Sequence, residues 1–154
     1  MIFLLLMAGI VILEYRIKEY RERHKLPKTY MNGKLRIVTF HNKGAFYGMG
    51  DEKPKLVKGI SLIITAVLTG MFLKRLKNKE KDKTILTGFG ILLGGAISNI
   101  YDRIKRGYVV DYINLPKAPW KIKNIVFNIA DVAILIGSIL IGTNKSDEKQ
   151  ENWN

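Results

Sequence analysis

Four apolar segments, almost without charged residues, constrain this 154-residue chain more than any other feature. They lie at 1–13, 56–73, 84–101 and 125–142, and Lys58 and Asp131 are the charged residues inside them. A helix of about 18 residues, rising about 1.5 Å per residue, spans about 27 Å, close to the roughly 30 Å of bilayer hydrocarbon. The sequence therefore predicts four transmembrane helices, at approximately 1–20, 56–73, 84–101 and 125–142.

The first segment is short for a span, and it gains length from the polar residues that follow it. A cleaved signal peptide is the alternative interpretation. No basic residue precedes the segment, and no small-x-small cleavage site follows it before Glu14 and Arg16. We therefore expect an uncleaved membrane anchor.

The third segment, TILTGFGILLGGAISNIY, argues against a soluble protein with buried helices. It has no polar face for water, and so many glycines would destabilise a helix in water. Gly90 and Gly94 form a small-xxx-small pair, and Gly88, Gly95 and Ala96 extend the smooth surface. In lipid such a surface lets another helix approach closely, so we expect tight packing there.

The net charge of +13 indicates an anionic partner, and the distribution of the charge selects which one. The basic residues are dispersed between the apolar segments, as in the run KRLKNKEKDK at 74–83. They form no continuous basic face, which disfavours a nucleic-acid-binding module. Membrane phospholipids with anionic head groups are the expected partner.

The polar stretch at 14–55 is predicted to contain both helix and strands. Its first part, EYRIKEYRERHK, continues the first helix, and the part KLRIVTFHNKGAFYGM is rich in residues that favour strands. We expect a small sheet, a β-cradle at approximately 25–54, on the membrane surface. Between the third and fourth spans we expect a basic loop around Pro116 and Pro119.

Three aspartates at the edges of the spans are candidates for chemistry, because an unpaired carboxylate is expensive to bury in a membrane. They are Asp102, Asp111 and Asp131. Asn99 and Asn128 each precede an aspartate by three residues, which on a helix would place amide and carboxylate on one face. For Asp102 taken alone, a helix cap or an interfacial salt bridge is the preferred explanation. Arg103 could pair with a carboxylate or with a lipid phosphate.

Two of these carboxylates brought together would share a proton, because two close negative charges are costly. The charged member can then activate water while the neutral member donates to a carbonyl, which is the chemistry of an aspartic peptidase. Competing chemistries lack residues: the chain has no cysteine, and two histidines, His24 and His41, do not make a zinc motif. No metal and no cofactor is expected. The residues alone do not decide which pair of aspartates acts.

The sequence resembles lipoprotein signal peptidase, the signal peptidase II family of bacterial aspartic peptidases with four transmembrane helices. The blocks GGAISNIYDRIKRGYVVDYI at 94–113 and FNIADVAI at 127–134 carry most of the resemblance. Two weaker matches lie upstream. HNKGAF at 41–46 is similar to the family's Asn-x-Gly-Ala-Ala-Phe element, and Glu14 with Lys18 falls where the family has Asp-x-x-x-Lys.

The resemblance implies a single integral membrane peptidase domain over 1–154, in the bacterial inner membrane, with an extracytoplasmic cradle. It implies that Asp111 and Asp131 are the catalytic dyad. Supporting and substrate-binding residues are implied at Asn99, Asp102, Arg103, Asn128, Asn42 and Gly44. The implied substrates are diacylglyceryl-modified prolipoproteins, cleaved before the lipidated cysteine by an enzyme that we expect to be a monomer.

Three departures from the family pattern motivate an alternative, a non-catalytic paralogue that binds lipidated peptides or lipids. The first helix is short, Glu14 replaces the usual aspartate, and the element at 41–46 has one residue fewer than the family's. The basic residues also disagree with the orientation that the resemblance implies, since most of them would lie outside the cell. We follow the resemblance for the orientation.

Overall fold

The computed structural model describes residues 2–45, 49–79 and 82–151. The helices, numbered in chain order, are α1 (Ile2–Arg23), α2 (Pro54–Lys77), α3 (Lys83–Lys105), α4 (Trp120–Lys123) and α5 (Ile129–Glu151). Four of these helices are long, in agreement with the four predicted segments, and α1 continues through the charged sequence after Leu13 as expected.

Two of the long helices, α2 and α3, are long and apolar enough to cross a membrane, judged on the described residues by length and composition. The apolar part of α5, Ile129–Thr143, is shorter. Our prediction that the fourth helix begins near residue 125 is wrong. Val126 and Phe127 pair as a strand, so the helix begins four residues later.

A four-stranded antiparallel sheet lies at one end of the helices. Its strands are β1 (Lys28–Tyr30), β2 (Leu35–Asn42), β3 (Val109–Asn114) and β4 (Val126–Phe127), paired in that order. The sheet is larger than the predicted cradle at 25–54, because β3 and β4 come from the stretch that we predicted to be a loop. The β-branched run at 109–113 finds its partner in β2, far away in sequence.

The pairing of β2 with β3 determines which side chains lie near Asp111. Phe40 pairs with Asp111 and Asn42 with Val109, after an irregularity in the register between Ile37 and Phe40. A buried arginine, Arg21 near the end of α1, donates to the carbonyl of Val38 at 3.2 Å and so joins α1 to β2.

Helix α3 is central and packs against α1, α2 and α5. Its glycines lie on two different faces. A Cβ atom at Gly94 would lie 3.1 Å from the Met7 carbonyl oxygen of α1, and one at Gly88 would lie 3.1 Å from the Gly137 carbonyl oxygen of α5. The expectation of close helix contact at the glycines of α3 is confirmed, and the contact involves two neighbouring helices.

Replacement of Gly95 by alanine is predicted to destabilise the fold. A Cβ atom at Gly95 would overlap the backbone carbonyl of Ala130 in α5, which cannot rotate away as a side chain could. Overpacking of this kind costs about 1–3 kcal/mol of unfolding free energy, measurable as a lower unfolding temperature in detergent. Gly9→Ala is the matched control, since nothing lies within 4 Å of the added atom. Equal unfolding temperatures for the two variants would contradict the prediction.

Candidate active site

Asp111 is buried in the middle of β3 and is bonded to two side-chain amides. Asn42 Nδ2 donates to Asp111 Oδ2 at 2.9 Å, and Asn128 Nδ2 donates to Asp111 Oδ1 at 2.6 Å. The side chain is 2% exposed. Among the described residues, the side-chain hydrogen bonds to this carboxyl come from these two amides, and no lysine or arginine forms a salt bridge with it.

Asp131 lies in the first turn of α5. Asn99 Nδ2 donates to its Oδ1 at 2.8 Å, and the backbone N–H of Asn128 donates to its Oδ2 at 3.1 Å. In return Asn128 Oδ1 accepts from the Asp131 N–H at 2.9 Å. This reciprocal pair has the geometry of a capping box, so the sequence Asn-x-x-Asp starts the helix. The positive end of the helix dipole stabilises a negative charge at this position.

Our prediction that each Asn-x-x-Asp pair shares one helical face is wrong for the second pair. Asn128 precedes α5 and caps it. In the first pair, Asn99 and Asp102 both lie on α3, but the Asn99 amide donates across to Asp131 of another helix. The spacing identified residues that do meet, although their partners come from different elements.

Asn99 and Asn128 connect the two carboxyls. Asn128 donates to Asp111 through its side chain and to Asp131 through its backbone, and its amide also lies 3.3 Å from Asn99 Oδ1. Lys18 Nζ donates to Asn99 Oδ1 at 2.9 Å. Because that oxygen accepts from Lys18, the Asn99 nitrogen must point toward Asp131. The amide orientation is therefore fixed by a cation on α1.

Burial raises the pKa of Asp111 to about 7, and the negative charge of Asp131 adds to the increase. The hydrogen bonds from Asn42 and Asn128 oppose it, since they favour the charged carboxylate. With its pKa raised to about 7, Asp111 is partly protonated near neutral pH.

Asp102 has a different environment from Asp111. Its Oδ2 lies 3.1 Å from Lys18 Nζ and accepts from the Val110 N–H at 3.2 Å, and its Oδ1 accepts from Arg106 Nε at 2.9 Å. This arrangement confirms the interpretation of Asp102 as a salt-bridge residue. Its lone pairs are used by cations and backbone, whereas those of Asp111 are used by neutral amides.

Lys18 is the centre of a buried ionic cluster beneath the two carboxyls. Its ammonium lies within 3.1 Å of four oxygen atoms, from Glu14, Ser98, Asn99 and Asp102, and its side chain is 1% exposed. Glu14 is fully buried and also accepts a hydrogen bond from the Tyr112 hydroxyl. The weak sequence match at Glu14 and Lys18 therefore falls on residues that contact the site.

Arg103 and Gly44 lie together at the edge of the site. Arg103 Nη2 donates to the Gly44 carbonyl at 2.8 Å, and the Gly44 N–H donates to Asn42 Oδ1 at 3.0 Å. Arg103 Nε is buried without a hydrogen-bond partner among the described residues. One of our two options for Arg103 was an ion pair with a carboxylate, and the described residues form no such salt bridge with it. Of the element at 41–46, Phe46 lies outside the described residues.

Sequence reasoning missed several residues of this network, including Ser98, Arg106 and Tyr112. Tyr112 directly follows Asp111, and its hydroxyl accepts from the Ile129 N–H at 3.3 Å. Alternation along β3 places Tyr112 on the opposite face of the strand from Asp111. That alternation, together with the buried glutamate, was the signal that could have identified it.

A cavity of about 860 Å³ opens beside the carboxyls, between α2, α3 and α5. Its walls are apolar, with Ile64 and Leu68 from α2, Leu92 from α3 and Leu135 from α5. Asn99, Arg103 and Asp131 form its polar end. Within the described part of the chain, no group of three His, Cys, Asp or Glu side chains is arranged to bind a metal ion.

Two aspartates that accept hydrogen bonds from side-chain amides, one of them at an apolar cavity between α2, α3 and α5, fit a membrane peptidase of the aspartic class. Residues 3–144 match the family model described as Signal peptidase (SPase) II. The chain therefore belongs to the signal peptidase II family and is a membrane protease of that type.

Curated relatives agree with this membership. The chain is 35% identical over 108 residues to the lipoprotein signal peptidase of Buchnera aphidicola subsp. Schizaphis graminum, covering 70% of this chain and 68% of that protein. It is 29% identical over 143 residues to the lipoprotein signal peptidase of Caldicellulosiruptor bescii, covering 92% and 88%.

Solved structures show the same fold. One bacterial membrane enzyme, determined by the in meso method at 2.3 Å resolution, superposes with a TM-score of 0.81 at 24% identity, covering 97% of this chain and 90% of that one. A second, at 1.9 Å resolution, gives a TM-score of 0.76 at 25% identity, covering 92% and 90%.

Proposed function

We propose that this chain removes signal peptides from diacylglyceryl-modified prolipoproteins, cleaving the amide on the N-terminal side of the lipidated cysteine. The observation that carries the proposal is the position of the two aspartates. Asp111 and Asp131 share Asn128 as a hydrogen-bond partner, and Asp131 lies at the polar end of the large apolar cavity.

In the proposed mechanism Asp131 is the general base and Asp111 the general acid. Asp131 takes a proton from a water molecule, and the water oxygen attacks the carbonyl carbon of the scissile amide. Asp111 gives its proton to the carbonyl oxygen, which produces a tetrahedral diol. Asp131 then passes its proton to the amide nitrogen as the C–N bond breaks, and the diol returns a proton to Asp111.

This assignment of roles follows from the two environments. Asp131 is at a helix N-terminus with two N–H donors, which stabilise its charge. Asp111 has a pKa raised to about 7, so it retains a proton to donate. Every proton in this mechanism is moved by one of the two aspartates.

The remaining site residues are proposed to support the dyad and the substrate. Asn42, Asn99 and Asn128 orient the carboxyls through the hydrogen bonds described above. Arg103 lines the cavity and donates to the Gly44 carbonyl, so we propose that these two residues hold the loop that meets the substrate. Asp102 acts indirectly, by anchoring Lys18 and the backbone of Val110.

The apolar cavity suits the lipid part of the substrate. Its walls are built from α2, α3 and α5, and α2 also exposes large apolar residues such as Ile63 and Val67 on its outer surface. Lipid chains attached to the cysteine can therefore lie between these helices while the peptide reaches Asp131. We propose that four helices, α1, α2, α3 and α5, span the bacterial cell membrane with the sheet outside, in a monomer surrounded by phospholipids.

Purified protein incubated with a diacylated prolipoprotein tests this function. We expect release of the signal peptide, inhibition by a cyclic-peptide inhibitor of the family, and no cleavage of the same precursor without its diacylglycerol. An intact precursor after incubation with folded protein would favour the non-catalytic paralogue. Cleavage of the unlipidated precursor at the same rate would overturn the substrate assignment.

The cleavage rate is predicted to fall as the pH rises through about 7. Asp111 must be protonated to donate, and it loses its proton there because its pKa is raised to about 7. The Asn42 hydrogen bond lowers the pKa of Asp111, so Asn42→Ala should raise it. The alkaline limb, the part of the kcat–pH profile where kcat falls as the pH rises, should then move to higher pH. Asn78→Ala, at the end of α2, is the control and should leave the limb in place. A limb unchanged by Asn42→Ala would contradict the assignment.

A further inference from the structure

The Tyr112 side chain joins three elements of the fold at one hydroxyl group. It is buried, at 4% exposure, and extends from β3 toward α1 and α5. The hydroxyl donates to Glu14 Oε1 of α1 and accepts from the Ile129 N–H of α5 at 3.3 Å. A phenol has one proton to donate, so the hydroxyl donates to Glu14 and can only accept from Ile129.

The Ile129 amide is the first N–H of α5. The first four N–H groups of a helix have no partner inside the helix, and a buried one without a partner is costly. Asn128 Oδ1 serves the N–H of Asp131, and the Tyr112 hydroxyl serves that of Ile129. The turn that carries Asp131 is therefore attached to the residue that follows Asp111.

Glu14 determines the position of the Tyr112 hydroxyl. Glu14 is fully buried, and its second oxygen lies 3.1 Å from Lys18 Nζ. One carboxylate thus bonds to a phenol and to an ammonium at the same time. An aspartate at this position would be one methylene shorter and could not reach both partners from the same backbone position. The longer side chain and the tyrosine form a matched pair in this protein.

We propose that Tyr112 and Glu14 act as a positioning pair that sets the separation of Asp111 from Asp131. The proposal rests on the function proposed above for these two aspartates. Neither member of the pair lines the large cavity among the described residues, so the pair acts through the first turn of α5 and not through contact with substrate.

Tyr112→Phe removes one oxygen atom and keeps the ring, so it tests the pair with little change of volume. We expect kcat to fall by about tenfold to a hundredfold, since small displacements of catalytic groups have effects of this size. KM should change by less than about twofold, because substrate contacts stay intact. Looser coupling between the carboxyls should also move the alkaline limb to lower pH, because Asp131 raises the pKa of Asp111 less. A purely structural role would not move this limb.

A double-mutant cycle with Glu14→Asp completes the experiment. Both single changes break the same hydrogen bond, so the double variant should lose about as much kcat as the more impaired single variant. Tyr30→Phe, an exposed tyrosine of β1, is the control and should behave like wild type. Losses that multiply, or a Tyr112→Phe enzyme with wild-type kcat and pH profile, would overturn the proposal.

Thermal unfolding of the same variants separates this proposal from the function on which it rests. The losses in unfolding temperature should also be non-additive, whether or not the protein cleaves a precursor. Failure of the proposed function would appear as normal cleavage by variants of Asp111 or Asp131. If the Asp111 and Asp131 variants are inactive but the losses in unfolding temperature of the Tyr112 and Glu14 variants add up, the positioning pair is wrong. If Tyr112→Phe does not fold, the kcat and pH limb of Glu14→Asp alone decide, with wild-type values overturning the proposal.

Discussion

Replacing Asp111 or Asp131 by asparagine is expected to lower the rate of prolipoprotein cleavage by about 10²-fold to 10⁴-fold, the range expected when a general acid or general base is removed. Asn at 131 cannot take a proton from water, and Asn at 111 has no acidic proton to give to the carbonyl. The two variants block different proton transfers, and both should slow cleavage. The measurement is the initial rate of signal-peptide release from a diacylated precursor.

Both variants should remain folded, because the substitutions keep the volume of the side chain. At position 111 the new amide keeps its bond from Asn128, whose orientation is fixed by the N–H of Asp131. The amide nitrogen of the new side chain then faces the amide nitrogen of Asn42. Two donors cannot bond to each other, so one hydrogen bond is lost, at a cost of about 1 kcal/mol of unfolding free energy. Circular dichroism and the unfolding temperature check this point.

Asp51→Asn is the matched control for the dyad variants. Asp51 is exposed in the turn before α2, and its replacement should leave both rate and stability unchanged. A variant of Asp111 or Asp131 that cleaves at the rate of the Asp51 variant would remove that aspartate from the mechanism. Asp102→Asn should differ from all three, since it lowers stability by leaving Lys18 and Arg106 short of a partner.

Helices could be predicted from the sequence because their signals are local. The absence of charge over 84–101 and the spacing of Gly90 and Gly94 belong to one segment and need no knowledge of its neighbours. The strand β3 carries a local signal too, in Val109 and Val110. Its partner, β2, lies about seventy residues away, and nothing in either strand specifies that pairing.

Some residues of the site could be predicted from the sequence, but their hydrogen bonds could not. The spacing of asparagine and aspartate marked Asn99, Asn128 and Asp131, which do bond to one another, yet the spacing predicts contacts within a helix. The structure forms the decisive bond, from Asn99 to Asp131, between two helices. Likewise the choice between Asp102 and Asp111 depends on whether a cation is nearby, and that cation, Lys18, comes from α1.

The ionic cluster around Lys18 explains why side-chain amides, and not cations, form the hydrogen bonds to Asp111. Glu14 and Asp102 both pair with Lys18, and Arg106 connects Asp102 to Glu19. The charges of the cluster are thus largely satisfied among themselves. Lys18 also orients the Asn99 amide, so the same cation contributes to stability and to the geometry at Asp131.

Lys18→Met is therefore predicted to reduce stability and cleavage together. Removing one member of a buried ion pair leaves an uncompensated charge and costs about 3–5 kcal/mol; here Glu14 and Asp102 both lose their ammonium partner. The unfolding temperature in detergent should fall sharply, whereas Lys28→Met, at an exposed position in β1, should leave it unchanged.

The triple variant Glu14→Gln, Lys18→Met, Asp102→Asn separates the two roles of Lys18. Neutralising Lys18 together with both of its carboxylate partners removes the uncompensated charges, and Arg106 keeps its ion pair with Glu19, so part of the lost unfolding temperature should return. Cleavage should not fully return, because the Asn99 amide then keeps only the longer, 3.3 Å hydrogen bond from Asn128 to orient it toward Asp131. Recovery of the cleavage rate along with the stability would mean that Lys18 serves the fold alone.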